Sequence, residues 1–424
     1  GTSGVVINDS TSDFIVGDKS YGVILANPGL SKTNVYSNSS SSKISLGKES
    51  TFLYTEGTSQ VTNNGTITSG TNNGIIAIYG KDGANIVNNG TIDLSQGIGN
   101  QGILVTGASN AVNRGTIKIG KTDKSDPDNI IYGIGMAAID GASATNTGDI
   151  YVSGNLSIGM YGDKSGTTLR NDGNIYLDAS GATSTDKIQT MMGVFANNGT
   201  TFVNTGTITI DSSATKAQGI YVDFGSVVDN TGTINLNSKT GTGILAGSGG
   251  VIKNEGTINL GPGVPVGQKK RKEGASQLSA GAITIKGPKA YIDNVEIHNS
   301  GIINVNGPLD LGTVKLGSAA GHIGTINATT FNKGQFIVLP NATLGSNKDM
   351  YTIQYLGGIQ NVPNNGQITA ISYSATFVAD IQKDATKHNI ARIVLVRVPY
   401  TKLLAGTPAE NFGKGFEDLY KGLS

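Results

Sequence analysis

The chain has 424 residues, a formal net charge of +1, and neither cysteine nor tryptophan. Without cysteine it can form no disulfide and no cysteine metal site. Its near-neutral charge gives no electrostatic reason to expect nucleic acid or an anionic membrane as a partner. Glycine, with 62 residues, takes about twice its usual share, while charged residues make up only 14%. This composition favours tight corners and a neutral outer surface.

The first 60 residues contain strand-like segments but no clear period. Examples are the stretches 4–7, 21–25 and 51–54. We expect residues 1–60 to form irregular N-terminal coils. The chain opens at Gly1 without methionine and enters strand-like sequence by Val5, which indicates a fragment or a processed piece.

From residue 61 onward a motif of the form Asn-x-Gly-[Thr/Asp/Asn]-Ile recurs along the chain. Its glycines are 24 to 26 residues apart, with longer intervals of 33, 33 and 45 residues. A nearly constant period with occasional surplus residues is typical of stacked repeats whose loops vary. The motif asparagines are Asn63, Asn88, Asn113, Asn146, Asn171, Asn204, Asn230 and Asn254, and the glycines are Gly65, Gly90, Gly115, Gly148, Gly173, Gly206, Gly232 and Gly256. A decayed copy follows at Asn299 and Gly301.

Each period also contains a glycine followed by alternating apolar residues, as at 102–105, and a short apolar pair before the asparagine, as at 86–87. Alternation with period two indicates strands. A coil of three short strands cannot bury its inner face alone, but stacked coils share one apolar interior. The predicted fold class is therefore all-β, a right-handed parallel β-helix with about 25 residues per three-strand coil, a C-terminal β cap and a short terminal helix.

The repeated motif residues are predicted to be structural. The glycines would lie at a corner where a positive φ or a close backbone approach excludes other residues. The asparagines would stack at one corner, where their amides can hydrogen-bond along the axis. These residues therefore describe an architecture and name no chemistry.

Residues 61–330 form the regular β-helix in this interpretation, with loop insertions near 121–129 and 182–190. The largest insertion, 261–277, holds two prolines and four glycines, which argue against a strand interior. Its basic cluster consists of Lys269, Lys270, Arg271 and Lys272. The cluster is a candidate contact for an acidic partner or an anionic glycan. The alternative is a solvated loop without a partner.

The C-terminal part changes character. Residues 331–400 contain longer, more aromatic strands, and we expect them to cap the solenoid, whose end would otherwise expose its interior. Residues 401–424 are predicted as a helical linker. Thr407 and Glu410 form a capping box, with Pro408 at the first helical position. Gly413 and Gly415 weaken this helix, so we expect it to need a partner surface.

No catalytic, metal or cofactor motif stands out, and we predict none of these. The three histidines have no second ligand at metal-binding spacing. Asp93 and Asp178 follow the corner motif at a similar phase, but the coils between them place Lys118 and Val152 there. Glycosidases need two carboxylates about 5–9.5 Å apart, and nothing in the spacing enforces such a pair. A polysaccharide-degrading β-helix enzyme remains the alternative.

The Asn-x-Gly-Thr-Ile repeat, interleaved with Gly-Ile-x-[Val/Ile] strands, resembles passenger domains of bacterial type V autotransporters. The asparagine-rich character and the ending at 395–401, Leu-Val-Arg-Val-Pro-Tyr-Thr, are most similar to the large outer-membrane adhesins of fusobacteria, of the RadD kind. The resemblance covers residues 61–424 well and residues 1–60 loosely.

This resemblance implies a cell-surface adhesin, anchored at the outer membrane by its own C-terminal β-barrel in the full-length protein. Its partner would be a protein or glycan on a host cell or another bacterium, and the passenger would be a monomer. Residues 331–400 would correspond to an autochaperone-like cap, and residues 401–424 would lead toward the barrel. A stalk without binding activity, carrying upstream binding domains, is a further alternative.

Overall fold

The structure is a computed structural model. It describes residues 4–26, 32–181, 191–214, 217–237, 242–246, 249–261, 265–268, 290–319, 321–341, 344, 348–359 and 368–422. The chain divides into two compact units. The first unit comprises residues 1–250 with 269–285, and the second comprises residues 251–268 with 286–424.

The first unit consists of three parallel ladders, and each coil contributes one strand to each ladder. The first ladder contains β1 (Val5–Asn8), β4 (Asn34–Asn38), β7 (Ser59–Asn63), β10 (Ala84–Asn88), β13 (Asn110–Asn113), β16 (Ser143–Asn146), β19 (Thr168–Asn171), β22 (Thr201–Asn204) and β25 (Val227–Asn230). The second contains β2 (Asp13–Val16), β5 (Lys43–Leu46), β8 (Thr66–Thr68), β11 (Thr91–Leu94), β14 (Thr116–Ile119), β17 (Asp149–Gly154), β20 (Asn174–Gly181), β23 (Thr207–Ile210) and β26 (Thr233–Leu236). The third contains β3 (Tyr21–Leu25), β6 (Thr51–Glu56), β9 (Ile76–Lys81), β12 (Gln101–Thr106), β15 (Ile134–Ile139), β18 (Ile158–Asp163), β21 (Met191–Ala196), β24 (Ala217–Val222) and β27 (Thr242–Ala246).

The interior of the first unit is a stack of aliphatic side chains in register. Ile67, Ile92, Ile117 and Ile150 follow one another on the second ladder, and all four are completely buried. The residues between them on each strand face outward, as period two requires. Burial of each of these isoleucine side chains stabilises the fold by about 1.5–3 kcal/mol. The structure therefore confirms the predicted parallel β-helix.

The section before residue 61 belongs to the same architecture. Strands β1, β2 and β3 pair in parallel with β4, β5 and β6, and these pair in turn with β7, β8 and β9. The coils expected to be irregular thus share the three-ladder register. Their sequence hides this because Ser37–Ser42 stands where later coils carry the motif, although Asn38 keeps the position of the motif asparagine.

The second unit begins with parallel strands and ends differently. Its elements are β28 (Val251–Asn254), β29 (Thr257–Leu260), β30 (Pro265–Gln268), β31 (Ala290–Asp293), β32 (Val295–Asn299), β33 (Ile302–Val305), β34 (Pro308–Gly317), β35 (Gly324–Asn327), β36 (Thr330–Leu339), β37 (Met350–Gly357), β38 (Ile368–Ser372), β39 (Phe377–Lys383), β40 (Ile390–Arg397), α1 (Tyr400–Leu403) and α2 (Glu410–Gly422).

A strand inside the largest insertion corrects one expectation from the sequence. Strand β30 begins at Pro265 and pairs in parallel with β31, although the prolines and glycines argued against a strand there. Proline is tolerated at the first residue of a strand, because its missing N–H then lies at the end of the hydrogen-bonded ladder and does not interrupt it. The other proline of this insertion, Pro262, lies outside the described residues.

The pairing changes from parallel to antiparallel within the C-terminal part. Strand β37 pairs in parallel with β35 but antiparallel with β40, and β40 pairs antiparallel with β39. Antiparallel strands can close an end that parallel coils would leave open. Helix α2 packs next to α1, where Gly413 leaves room, because a Cβ there would lie 3.1 Å from Thr401 Cα.

Candidate functional site

The motif asparagines of the first unit form one ladder of buried amides. Each Nδ2 donates a hydrogen bond to the Oδ1 of the next asparagine at 2.7 to 2.9 Å, in the order Asn38, Asn63, Asn88, Asn113, Asn146, Asn171, Asn204 and Asn230. In the second unit, Asn254 donates to Asn299 at 2.8 Å, and Asn299 donates to Gln354 at 2.9 Å. These amides satisfy one another inside the wall, so the ladder stabilises the coils and offers no exposed contact.

The corner glycines are required by crowding. Gly90 has no positive φ, but a Cβ added there would collide with the carbonyl oxygen of Gly65. The same collision with the glycine one coil earlier recurs at Gly115, Gly148, Gly173, Gly206 and Gly232, and at Gly301 against Gly256. These positions therefore require glycine because the backbones of successive coils stack closely. A left-handed backbone conformation is not the reason.

The predicted basic contact lies outside the described residues. Lys269, Lys270, Arg271 and Lys272 therefore stay a prediction from the sequence, and the site that the structure does present lies elsewhere.

A groove of about 790 Å³ runs along the outer face of the second ladder, and we call it the strand groove. It spans four successive strands, β11, β14, β17 and β20. Its lining consists of Thr91, Ser95, Gln96, Gly97, Ile98, Thr116, Lys118, Gly120, Lys121, Tyr151, Ser153 and Asp178. A groove of this volume falls within the size range of ligand sites in proteins.

The register of the second ladder explains how Lys118 and Tyr151 come together in the strand groove. Asp93 pairs with Lys118, Lys118 with Tyr151, and Tyr151 with Tyr176, so the four outward side chains form one column. This column corrects the phase inferred from the sequence. Asp178 lies two residues beyond it, and Val152 points into the interior. Asp93 and Asp178 are therefore not equivalent positions.

Charge and aromatic surface come together at the centre of the strand groove. The Lys118 ammonium lies 6.0 Å from the centroid of the Tyr151 ring, within cation–π range. The Tyr151 ring packs edge-on against Tyr176, with centroids 6.2 Å apart, and Tyr151 is 39% exposed. Among the described residues, no carboxylate lies within ion-pair distance of Lys118. The groove thus presents a cation held above an accessible aromatic ring.

Two carboxylates near the strand groove, Asp93 and Asp211, accept hydrogen bonds from neighbouring serines. Asp93 Oδ1 accepts hydrogen bonds from the Ser95 backbone N–H at 3.1 Å and from the Ser95 hydroxyl at 2.6 Å. Hydrogen bonds from Ser213 and its neighbours hold the pKa of Asp211, which follows β23, below its usual range. Only one carboxylate, Asp178, lines the groove itself. Two lysines and one aspartate leave the described lining with a small positive charge.

Sequence reasoning missed Lys121, Tyr151 and Ser153 as site residues. For Tyr151 the signal was present in the residue that follows the motif isoleucine. This position carries Thr68 and Asp93 in two coils, then changes to Lys118, Tyr151 and Tyr176 in the next three. A run of unlike side chains at one repeat position marks a surface that the repeat architecture does not need.

A second pocket, of about 250 Å³, lies in the second unit. Lys253, Glu255, His298, His322 and Asn341 are among its lining residues. His298 Nε2 lies 3.6 Å from Glu296 Oε1, and the imidazole occupies space that a side chain at Gly317 would fill. Two of the three histidines of the sequence therefore share one small cleft. Across the residues that the structure describes, no group of three or more histidine, cysteine or acidic side chains could hold a metal ion.

The outer face of the third ladder carries an aromatic column. Tyr161 stacks on Phe195 with centroids 5.4 Å apart, and Phe195 stacks on Tyr221 at 4.9 Å. Tyr132, which lies in the insertion before β15, packs against the same cluster. Because these rings cover one another's faces, the column has little open aromatic surface for a ligand. Its apolar burial stabilises the coils instead.

Residues 94–207 match a family model described as the BigA third pectate lyase-like domain. A comparison with curated proteins gave no match. The matched segment contains most of the strand groove, from Ser95 to Asp178. The match and the parallel β-helical fold together support a passenger domain of the autotransporter type, which is a secreted, surface-exposed class of protein. No helix among the described residues is long and apolar enough to cross a membrane.

Proposed function

We propose that this chain is the passenger of a surface adhesin, which attaches the bacterium to host cells or to other bacteria. The observation that carries this proposal is the strand groove. It is a polar, partly aromatic surface on a solenoid whose other repeated features serve to hold the coils together. Exposed sites on a rigid scaffold are where binding proteins place their contacts.

The strand groove favours binding over catalysis. Glycoside hydrolysis needs two carboxyl groups at a defined separation, and Asp178 is the one carboxylate that lines the groove. The match to a pectate lyase-like domain favours a second candidate, a polysaccharide-degrading enzyme. In that case the base would have to come from the titratable side chains of the lining, which are Lys118, Lys121, Tyr151 and Asp178.

The finer proposal follows from the sequence resemblance. It is an adhesin similar to those of fusobacteria, held at the outer membrane and acting as a monomer, with a protein or glycan of the opposing surface as its partner. The basic cluster at 269–272 is a second proposed contact of this adhesin, since solenoid loops often carry function.

The test is direct binding of the purified chain to intact epithelial cells and to partner bacteria. A variant with residues 262–277 shortened to a tight turn is compared with the parent protein. Saturable attachment by the parent supports the adhesin. A loss of attachment in the variant assigns the contact to the basic loop, and unchanged attachment assigns it elsewhere.

Two further results would contradict the proposal. Absence of saturable binding to every cell type would favour a stalk without binding activity. Release of unsaturated products from acidic polysaccharides, measured by ultraviolet absorbance and lost in Lys118→Gln, would favour the enzyme.

A further inference from the structure

The strand groove carries a local excess of positive charge. The whole chain carries a net charge of only +1, yet Lys118 and Lys121 line one groove in which Asp178 is the single carboxylate. Lys118 is exposed and Lys121 half-buried, so both ammonium groups can reach a ligand on the floor. A concave surface concentrates the field of the charges that line it. The expected ligand is therefore an anion.

The shape of the strand groove indicates a chain-like ligand. Four strands stacked at about 4.8 Å span roughly 14 Å along the solenoid axis, which is too long for a single small anion. The lining combines hydroxyl groups, from Thr91, Thr116 and Ser153, with the ring of Tyr151. Hydroxyls that donate and accept, together with an aromatic ring, suit the polar edges and apolar faces of sugar rings.

From these features we propose that the strand groove binds an anionic oligosaccharide lying along the solenoid axis. Tyr151 contacts a sugar ring, and Lys118 and Lys121 pair with its carboxylate or sulfate groups. The Tyr151 ring holds the Lys118 ammonium in place before the ligand arrives, which lowers the entropy cost of binding. The assignment rests on the proposed adhesin function, since it names the molecule through which attachment would occur.

Other ligand classes fit the strand groove less well. A nucleic acid needs neutralisation of many phosphates, and the lining supplies two lysines. An apolar ligand would leave the hydroxyl groups of Thr91 and Thr116 and the amide of Gln96 without ligand partners, at a cost for each polar group that it covers. A neutral sugar would satisfy the hydroxyls but would leave the lysines unpaired.

The experiment measures binding of the full chain to four immobilised probes at low and high salt. These are oligogalacturonic acid, oligosialic acid, heparin and neutral dextran. The first two present carboxylates and the third mainly sulfates, so the preferred probe identifies the charged group. We expect saturable binding to at least one anionic probe, weakening as salt screens the lysines, and none to dextran.

Three variants test the residues. Lys118→Gln and Lys121→Gln are each expected to weaken binding by about tenfold, the usual effect of losing a charged hydrogen-bond partner. Tyr151→Leu should also weaken it. The matched control is Lys43→Gln, because Lys43 is exposed on the outer face of the same ladder, on β5, but does not line the strand groove. This control should bind like the parent.

A change of opposite sign provides a stricter test. Asp178→Asn removes the one carboxylate of the lining, so it should strengthen binding of the anionic probe by a few-fold. A merely structural role of these side chains would not produce tighter binding in one variant and weaker binding in the others.

The outcomes separate this inference from the adhesin proposal, because cell attachment is measured on the same preparations. Attachment to cells without binding to any anionic probe, or probe binding that Lys118→Gln leaves unchanged, overturns the assigned ligand and leaves the adhesin intact. Probe binding without cell attachment supports the ligand and overturns the adhesin. Absence of both probe binding and cell attachment overturns the assigned ligand and the adhesin proposal.

Discussion

The side-chain Nδ2 of Asn88 donates a hydrogen bond to Oδ1 of Asn113 at 2.8 Å, one coil further along the first ladder. The same Nδ2 also contacts the carbonyl oxygen of Gly90 at 3.2 Å, within its own corner. Each motif asparagine therefore links two coils and fixes one turn. This double role explains why asparagine recurs where serine or aspartate would make only part of these contacts.

Replacement of Asn113 by alanine should destabilise the first unit. The change leaves the Asn88 Nδ2 and the Asn146 Oδ1 without their ladder partners in a buried site. Each unpaired group costs about 1–3 kcal/mol, so we expect the free energy of unfolding to fall by about 2–5 kcal/mol. The control is Asn110→Ala on the same strand, because the hydrogen bond that the Asn110 side-chain amide donates to Asn85 is exposed. Equal midpoints of chemical unfolding for the two variants would refute a stabilising ladder.

A Gly115→Ala variant tests the origin of the corner glycines. The added Cβ meets the carbonyl oxygen of Gly90, which is backbone and cannot rotate away. We expect a loss of about 1–3 kcal/mol from overpacking, measured by thermal unfolding. Gly17→Ala is the control, because its nearest neighbour would be Ser20 Oγ at an ordinary 3.7 Å. If Gly115→Ala unfolds like the parent, the coils can separate enough to admit a side chain.

The fold was predictable to the extent that the repeat sets the backbone. The spacing of Gly65, Gly90 and Gly115 gives the coil length, and the alternation in strands such as β12 gives the inward face. The coils before residue 61 were not predictable as regular, because Asn38 keeps its ladder position without the glycine that makes the motif visible. Register there depends on buried side chains such as Tyr36 and Phe52, which the period does not show.

The strand groove was less predictable than the fold. Its residues are those that the repeat leaves free to vary, and a period reveals only what recurs. The alignment of Asp93 with Asp178 was wrong by two residues, because Asp93 is the third residue after its corner glycine and Asp178 the fifth. The ladder register places Tyr176, the third residue, in the column of Asp93. Lys118 and Tyr151 are 33 residues apart in the sequence. They become neighbours because β14 and β17 pair in register in consecutive coils.

The phenol of Tyr161 should make the protein sensitive to alkali. Burial, together with the nearby charge of Asp163, raises the pKa of Tyr161 from 10.0 to about 12. A raised folded-state pKa stabilises the fold below the unfolded pKa, and this contribution is lost as the pH rises toward about 12. The loss is roughly 2 kcal/mol. Tyr161→Phe should match the parent at neutral pH but lose less stability between pH 10 and 12, as measured by chemical unfolding. Parallel losses in both proteins would show that the hydroxyl ionises freely.

The docking of helix α2 should be lost in acid. The Arg397 guanidinium at the end of β40 donates to both carboxylate oxygens of Glu417, at 2.6 and 3.1 Å, and the Tyr400 N–H donates to the same carboxylate at 2.9 Å. These bonds hold the pKa of Glu417 below its usual value of 4.5. A lowered pKa contributes stability that is complete above pH 4.5 and is lost as the pH falls through the folded-state value.

Hydrogen exchange of the α2 amides measures this release. Glu417→Gln should raise the exchange rate at neutral pH, because Arg397 keeps its burial and its contact with the Tyr420 ring at 3.7 Å but loses its main partner. Asp418→Asn is the control, since it breaks only the exposed pair with Lys414 and such pairs contribute about 0–1 kcal/mol. Equal exchange in both variants would mean that apolar packing of Tyr420 and Gly413 alone holds the helix.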